Sequence, residues 1–251
     1  MKTNNFFIIL LLFVFYGCAK DKAEIIKENR EFGLTLYNGA GFPEVSDKYV
    51  YPIVPGMEEW KIDYDIETTD PWQKFCQLPD SVLKTISTPG LIDALIFAPM
   101  FTALSSGLSS VPSLPTWNNQ YRALNSAKEL FQREDAGNAL VAYYEFVCLD
   151  CIKSSRKELE RLIGLEFLFT KQQILDKIGQ ENKKRAVTTL LANYKKSPDY
   201  DRILPMVYIM YADGYTPMME YAKDNNDILN GYYGELTDLI VTYAKNYVNE
   251  K

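Results

Sequence analysis

The sequence predicts an all-α protein, an irregular stack of antiparallel helical hairpins that forms an α-α superhelix or an orthogonal bundle. Three observations predict this class. Residues that cap helices precede proline, apolar residues recur at helical spacing, and short connections separate the helical patterns. Because short connections favour antiparallel neighbours, the helices should pair as hairpins. An extended N-terminal segment precedes them.

Signals for the ends of helices recur along the chain. A capping residue precedes proline at Asp70-Pro71, Thr88-Pro89 and Thr216-Pro217. The side-chain oxygen can accept a bond from an unpaired backbone amide, and proline suits the first helical position. Two capping boxes are predicted at Ser155–Glu158 and Thr170–Gln173. Gly179 and Gly214 stand where helices would end in a left-handed residue.

Between these signals, apolar residues form stripes along single helix faces. The stripes are Tyr121, Leu124, Ala127 and Phe131; Ala136, Leu140, Tyr144, Val147 and Cys151; Leu159, Ile163 and Phe167; Val187, Leu190, Leu191 and Tyr194; and Leu229, Tyr232, Leu236, Leu239, Tyr243 and Tyr247. The tyrosines on these stripes are therefore predicted to be core residues.

Two stretches are predicted not to be helical. Residues 48–56, KYVYPIVPG, are aromatic and β-branched with two prolines, which predicts extended chain laid along the domain surface. Residues 105–115 are rich in Ser, Gly and Pro and lead to Trp117 and Tyr121. Because long loops are often functional, these two aromatic residues are candidate ligand contacts. The alternative is that Trp117 packs against the core.

The first residues predict an export signal that ends on a lipidated cysteine. Phe6–Tyr16 is an unbroken apolar run, Lys2 precedes it, and Gly17-Cys18 follows it. At about 1.5 Å per residue, a helix of this length spans roughly 16 Å, about half of the ~30 Å hydrocarbon core. The pattern is typical of a secretory signal peptide, residues 1–17. Gly17-Cys18 resembles the lipobox of bacterial lipoproteins, which implies cleavage before Cys18 and acylation of that residue.

Acylation of Cys18 would anchor the chain in a bilayer, because two or three acyl chains bind stably where one binds only marginally. Residues 19–22 weakly resemble the Lys-Asp signal of lipoproteins sent to the outer face of the outer membrane. The predicted location is therefore the outer membrane, on its periplasmic or extracellular face. Phe15 and Tyr16 are bulkier than the usual lipobox residues, and a plain signal peptide with an incidental cysteine is the alternative. Residues 18–47 are predicted to be a tether and residues 48–251 a single helical domain.

Composition excludes several classes of function. The net charge of −6 argues against nucleic acid as a partner. The chain has no histidine, which excludes Ser-His-Asp and Cys-His catalysis and the HExxH zinc site. It also contains no Gly-rich phosphate loop and no ligand set with metal spacing. The sequence therefore predicts no catalytic residue, no metal and no cofactor.

The cysteines after Cys18 are Cys76, Cys148 and Cys151, of which the last two form a C-x-x-C motif. Zinc binding would need about four ligands, and this set falls short. The pair closes a predicted helical stripe, and cysteine often packs as a small hydrophobe. Buried thiols are therefore the favoured prediction. A structural disulfide, which could include Cys76, and redox chemistry are the two alternatives.

Part of the chain resembles a known family. The residues concerned are Tyr51-Pro52-Ile53, Pro55-Gly56, Glu59-Trp60, Cys76-Gln77-Leu78-Pro79, Val82-Leu83-Lys84, Ser87-Thr88, Leu91 and Asp135-Ala136-Gly137. They are similar to a family of uncharacterised secreted proteins and lipoproteins of Bacteroidota with a YPI-x-PG-x-x-EW opening. The resemblance covers roughly residues 50–140 and implies a location in the cell envelope. It implies no activity and no catalytic residues.

These observations leave three functional hypotheses. The favoured one is a non-catalytic lipoprotein that presents a binding or scaffold surface to an envelope protein or glycan. The second is a glycan-binding accessory protein, in which aromatic residues off the apolar stripes stack on sugar rings. The third is a hydrolase that uses two carboxylates. Acidic pairs such as Glu58-Glu59 and Glu158 with Glu160 are predicted to lie on solvated faces.

Overall fold

A computed structural model describes residues 41–54, 57, 59, 75–99, 121–152, 155–198, 200–225 and 237–250. Within these ranges 69% of residues are helical and no strand is formed, which confirms the all-α class. The helices are α1 Asp80–Leu83, α2 Thr88–Ile96, α3 Asn125–Gln132, α4 Ala136–Glu145, α5 Leu149–Ile152, α6 Arg156–Leu168, α7 Gln172–Leu175, α8 Gln180–Lys196, a 3-10 helix Tyr200–Ile203, α9 Leu204–Ala212, α10 Thr216–Asp224 and α11 Thr237–Asn249.

Two helices organise the packing. The longest of the described helices, α8, packs against α4, α9 and α11, whereas α2 packs against α3, α4 and α6. Buried apolar side chains from all of these helices form one continuous core. No helix in the described part of the chain is long and apolar enough to cross a membrane. The Ser-rich loop 105–115 and the signal Asp70-Pro71 lie outside the described residues.

Several predicted helix ends are confirmed. The Ser155 side chain accepts a hydrogen bond from the Glu158 amide and so caps α6 as predicted, although the Ser155 amide donates to the Ile152 carbonyl and not to the Glu158 side chain. Pro89 and Pro217 occupy the first turns of α2 and α10. Gly214 has a φ of 72°, the left-handed conformation predicted for the residue after a helix. These positions are set by local chemistry.

Other helix ends differ from the prediction. Ser87, and not Thr88, caps α2, because its side chain accepts from the Gly90 amide. The Thr170 hydroxyl donates to the Phe167 carbonyl at the end of α6, so it does not cap the next helix. Gly179 has a φ of −62° and precedes α8 instead of ending a helix.

Residues 41–54, here called the N-terminal segment, are bound to the helices. The Phe42 ring packs edge-on against Phe97 at 5.4 Å between centroids. The Asp47 carboxylate accepts from the Ser87 amide at 2.5 Å and from its hydroxyl at 2.9 Å. Tyr51 is buried and its hydroxyl donates to the Ala94 carbonyl at 3.0 Å. Residues 41–47 of the predicted tether are therefore bound to the domain. In residues 48–54, which were predicted to lie along the domain surface, Tyr51 and Val54 are buried, Pro52 is exposed and the others are partly buried.

Gly137 on α4 is a position where added volume should be poorly tolerated. A Cβ atom there would lie 2.6 Å from the Ile174 carbonyl oxygen and 2.6 Å from the Lys177 carbonyl carbon, both backbone atoms. Gly137→Ala should lower the free energy of unfolding by about 1–3 kcal/mol, since the backbone after α7 has to move. Urea unfolding measures this. The control is Gly179→Ala, where the new atom meets only Asn138 at 3.8 Å. Equal losses in the two variants would contradict the close packing.

Candidate functional site

A group of charged and aromatic side chains lies where the N-terminal segment meets α2, α4 and α6. We call it the Asp93 cluster, and its members are Lys48, Asp93, Phe97, Tyr143, Glu158 and Arg161. The N-terminal segment, α2, α4 and α6 each supply at least one member. Charged side chains are rarely buried unless they are paired or functional.

Asp93 on α2 is fully buried. Its Oδ1 accepts a hydrogen bond from the Tyr143 hydroxyl at 3.1 Å. Its Oδ2 lies 4.0 Å from Lys48 Nζ and accepts no hydrogen bond within the described part of the chain. A buried carboxylate oxygen in this state keeps unused capacity to accept a hydrogen bond.

The electrostatic surroundings of Asp93 work in opposite directions. Burial raises the pKa of its carboxyl to about 6, although Lys48, the hydrogen bond from Tyr143 and Arg161 lower it. The nearby Asp47 carboxylate acts in the same direction as burial. Burial and the Asp93 charge also raise the pKa of Tyr143, so its hydroxyl remains a hydrogen-bond donor. Asp93 therefore changes charge close to pH 6.

Two cations lie against the Phe97 ring. Lys48 Nζ and Arg161 Cζ are each 4.4 Å from the ring centroid. Arg161 Nη1 donates to Glu158 Oε1 at 2.7 Å, whereas Glu158 Oε2 accepts no hydrogen bond from the residues that the structure describes. The cluster thus combines two carboxylates with unused acceptor capacity and two cations on an aromatic ring. It can accept hydrogen bonds from a hydroxyl or amine group, and it can take up a proton.

The sequence predicted that Glu158 and Glu160 of α6 lie on a solvated face, and this prediction is wrong. Glu158 and Glu160 are both buried, because α6 packs against α2, α9 and the 3-10 helix. Lys157 lies beside them, and burial together with Arg161 lowers its pKa to about 8. Of the other predicted acidic pair, Glu59 is exposed and Glu58 lies outside the described residues.

A second polar network is fully buried and internally paired. Arg202 Nη2 and Nε donate to the two oxygens of Glu166 at 2.7 and 2.9 Å, and each of these residues is 1% exposed. The Tyr144 hydroxyl donates to Glu166 Oε1 at 2.5 Å and accepts from Asn193 Nδ2 at 3.0 Å. Arg202 Nη1 donates to the Ser197 carbonyl at 2.8 Å. This network joins α4, α6, α8 and the 3-10 helix, and its role is structural.

Burial alone would lower the pKa of Arg202, but the Glu166 carboxylate raises it, so the guanidinium remains charged. Burial and Glu166 raise the pKa of Tyr144 well above its ordinary value. Both groups are therefore fixed in the protonation states that their hydrogen bonds require.

The C-x-x-C motif forms a disulfide between Cys148 and Cys151, whose Cα atoms are 5.3 Å apart, and both residues are exposed. The prediction that Cys148 and Cys151 are buried thiols is therefore wrong. Helix α4 ends at Glu145, where Phe146 begins a turn, and the apolar spacing that continues to Cys151 belongs to a separate short helix. The third cysteine, Cys76, is buried and remains a thiol.

Of the residues predicted as sites from the sequence, Tyr121 is the one that the structure describes. Gly17, Cys18 and Trp117 lie outside the described residues. Tyr121 is 1% exposed, and its hydroxyl donates to the Gly164 carbonyl. Lys171 Nζ lies 5.3 Å from the centroid of the Tyr121 ring. Tyr121 therefore packs inside the domain and offers no surface to solvent.

Tyrosines on the apolar stripes also pack inward. Tyr144 and Tyr247 are buried, and Tyr194 and Tyr243 are partly buried against the core. Tyr232 and all three tryptophans, Trp60, Trp72 and Trp117, lie outside the described residues. The large apolar side chains that the described residues expose are Phe146, Tyr211 and Met219.

Sequence reasoning missed the Asp93 cluster. Asp93 stands within the apolar stretch Leu91–Phe97. A lone carboxylate in such a stretch was the available signal, because burial of the stretch would also bury Asp93. Its partners Lys48, Tyr143 and Arg161 come from three other parts of the chain, and no local spacing identifies them.

Several residues that the resemblance in the sequence drew on form hydrogen bonds within the N-terminal half of the domain. The Gln77 side chain bonds both the Ala123 carbonyl and the Asn125 amide. Asn125 in turn bonds the Leu78 amide and carbonyl. The Thr88 hydroxyl donates to the Asp135 carboxylate at 2.8 Å. These hydrogen bonds join separate parts of the chain.

The described residues were also compared with the ligand sets that metal ions need. Within the described ranges, no group of three or more Cys, Asp or Glu side chains could hold a metal ion. Comparison with known proteins gives no further guidance, since no family profile, no curated protein and no solved structure matches this chain.

Proposed function

We propose that this chain is a lipoprotein of the bacterial cell envelope, anchored in the outer membrane through acylated Cys18. Its helical domain binds an envelope protein or glycan and catalyses no reaction. The observation that carries the proposal is the apolar run Phe6–Tyr16, which ends at Gly17-Cys18. Such a run is too short to span a bilayer, and a lipidated cysteine supplies the anchor instead.

The way in which the N-terminal segment is bound supports this arrangement. Gly41 is already attached to the domain, because its carbonyl accepts a hydrogen bond from the Cys148 amide at 2.7 Å. In the sequence, 22 residues, 19–40, lie between Cys18 and Gly41. At full extension this stretch could reach roughly 75 Å, enough to hold the domain clear of the lipid headgroups.

Two features support a domain that binds a partner without catalysis: a paired polar interior and exposed apolar side chains. Glu166, Arg202, Tyr144 and Asn193 use their hydrogen bonds on one another, which is typical of groups that fix a structure. The exposed Phe146 and Tyr211 are available for contact with a partner.

Lipidation of Cys18 is tested by replacement. Cys18→Ala should move the protein from the membrane fraction to the soluble fraction and abolish labelling with a fatty-acid analogue, because it removes the residue that carries the proposed acyl chains. The matched control is the double variant Cys148→Ser, Cys151→Ser, which removes two cysteines but keeps Cys18 and should stay labelled. Continued membrane association and labelling of Cys18→Ala would overturn the proposal.

A carboxylate-dependent hydrolase is the second candidate, favoured by Asp93. Glycosidases need one carboxyl group with a raised pKa as the acid and a second carboxylate as base or nucleophile. The pKa of Asp93 is about 6, and Glu158 belongs to the same cluster. The test is release of reducing ends from soluble polysaccharides. Activity that disappears in Asp93→Asn but persists in Asp80→Asn, which alters an exposed carboxylate, would establish this function.

A further inference from the structure

The Cys148–Cys151 disulfide is exposed and closes a very short loop. A disulfide stabilises a fold chiefly by restricting the unfolded chain, and the effect grows with the length of the loop. For so short a loop the stabilisation from chain entropy is small. Exposed disulfides are also the ones most often reduced and re-formed, whereas structural disulfides resist reduction. Neither the length of the loop nor its exposure indicates a purely structural role.

We propose that Cys148 and Cys151 form a redox-active pair that exchanges with a protein dithiol, and that its state controls how firmly Gly41 and the residues after it are bound. The proposal stands independently of lipidation at Cys18. It depends on two features of the structure, the access of a thiol to the sulfurs and the contact between the disulfide loop and the N-terminal segment.

The surroundings of the pair fit a protein as the thiol donor. Phe146, two residues before Cys148, is 76% exposed and offers an apolar contact to an approaching protein. A small hydrophilic thiol gains nothing from such a contact. Asp150 lies between the cysteines and would repel an attacking thiolate, but Lys196 Nζ lies 3.2 Å from its Oδ2 and offsets part of that charge.

The N-terminal segment is attached directly to the disulfide loop. The Cys148 amide donates to the Gly41 carbonyl at 2.7 Å. A Cβ atom on Gly41 would lie 2.2 Å from Ile152 Cγ2, 2.8 Å from the Cys148 oxygen and 3.2 Å from Cys151 Cβ. Gly41 therefore lies in direct contact with the loop. Opening the disulfide lets Cys148 and Cys151 move apart, and the surface against which Gly41 packs changes.

The chemical step is a thiol–disulfide exchange. A thiolate of the protein dithiol attacks one sulfur of the pair, the Cys148–Cys151 bond breaks, and the departing cysteine leaves as a thiolate that takes up a proton. The second thiol of the donor then attacks the mixed disulfide. The donor leaves as a disulfide, and Cys148 and Cys151 are left as two thiols. Two electrons and two protons have passed from the donor to the pair.

The experiment uses the full chain carrying Cys18→Ala, so that its outcome is separate from that of lipidation. The folded protein is incubated with reduced thioredoxin or, at the same thiol concentration, with glutathione, and new thiols are counted by maleimide labelling and mass measurement. We expect two labelled thiols with thioredoxin in the absence of denaturant, at least about tenfold faster than with glutathione. Labelling that requires denaturant would overturn the exchange, and equal rates would overturn the protein donor.

The effect on the N-terminal segment is measured by hydrogen exchange on the reduced and oxidised chains. Reduction should accelerate exchange in residues 41–49 and at the Cys148 amide by about tenfold, and leave α8 unchanged. The double variant Cys148→Ser, Cys151→Ser should match the reduced chain. If the amides of the N-terminal segment exchange at the same rate in both redox states, the disulfide does not control how firmly the segment is bound. Because the redox comparison needs no substitution at Cys148 or Cys151, it decides the question even if the double variant folds poorly.

Discussion

Replacing Arg202 by methionine is expected to lower the free energy of unfolding by about 3–5 kcal/mol. The substitution keeps most of the side-chain volume but leaves the Glu166 carboxylate charged and without its counter-ion, at a position that is 1% exposed. Breaking a buried ion pair from one side costs far more than the pair contributes. Urea or guanidinium unfolding of the purified chain measures the loss.

An exposed pair of similar geometry provides the control for Arg202→Met. Arg185 Nε and Nη2 donate to the two carboxylate oxygens of Glu145 at 2.9 and 2.5 Å, but the Arg185 side chain is 49% exposed. Arg185→Met should cost less than about 1 kcal/mol, because water replaces the lost partner. Adding Glu166→Gln to Arg202→Met should recover at least half of the loss. Equal costs for Arg202→Met and Arg185→Met would contradict the importance of burial.

Asp93→Asn is expected to remove a pH dependence of stability worth roughly 3 kcal/mol. The pKa of Asp93 is about 6 in the folded chain and 3.8 as the ordinary value. Between these values the folded state binds more protons than the unfolded state, so stability falls as pH rises. The contribution is fully present below pH 3.8 and is lost as pH rises through 6. Each pKa unit corresponds to about 1.4 kcal/mol, which gives the expected total.

Urea unfolding of wild type and Asp93→Asn, compared from pH 4 to pH 7.5, tests this. The variant should gain stability relative to wild type as pH rises, because asparagine carries no charge to bury and can still accept from Tyr143. The groups that set the size of the effect are Lys48 and Asp47 on the N-terminal segment and Arg161 on α6. Asp80→Asn, which removes an exposed carboxylate, is the control. Parallel pH profiles for wild type and Asp93→Asn would contradict the raised pKa.

The sequence predicts the fold class because the relevant signals are local. Ser155 caps α6 through an amide three residues away, and Pro89 lies in the first turn of the helix that it was expected to begin. Such signals depend on neighbours in the chain. The apolar stripe through Leu140 and Tyr144 is likewise confirmed, since both residues are buried on α4.

The same local reasoning fails where distant residues decide the environment. Glu166 and Arg202 are 36 positions apart, and no local pattern indicates that their charges neutralise each other inside the domain. The prediction at Cys151 was wrong for a similar reason. Its position in the sequence continues the helical spacing of α4, but α4 ends before it and a turn lies between them. Asp93 was missed for a related reason, because its partners come from three separate elements.

The attachment of the N-terminal segment has a mechanical consequence. Among the described residues, a pull toward the N-terminus loads the Gly41–Cys148 hydrogen bond first, then Phe42 on Phe97, and then Asp47 on Ser87. Because these contacts follow one another along the chain, they carry the load one after another. They therefore break one at a time, which needs less force than breaking them together. The N-terminal segment is therefore expected to detach from the domain before a load on it reaches α8 and the helices packed against α8.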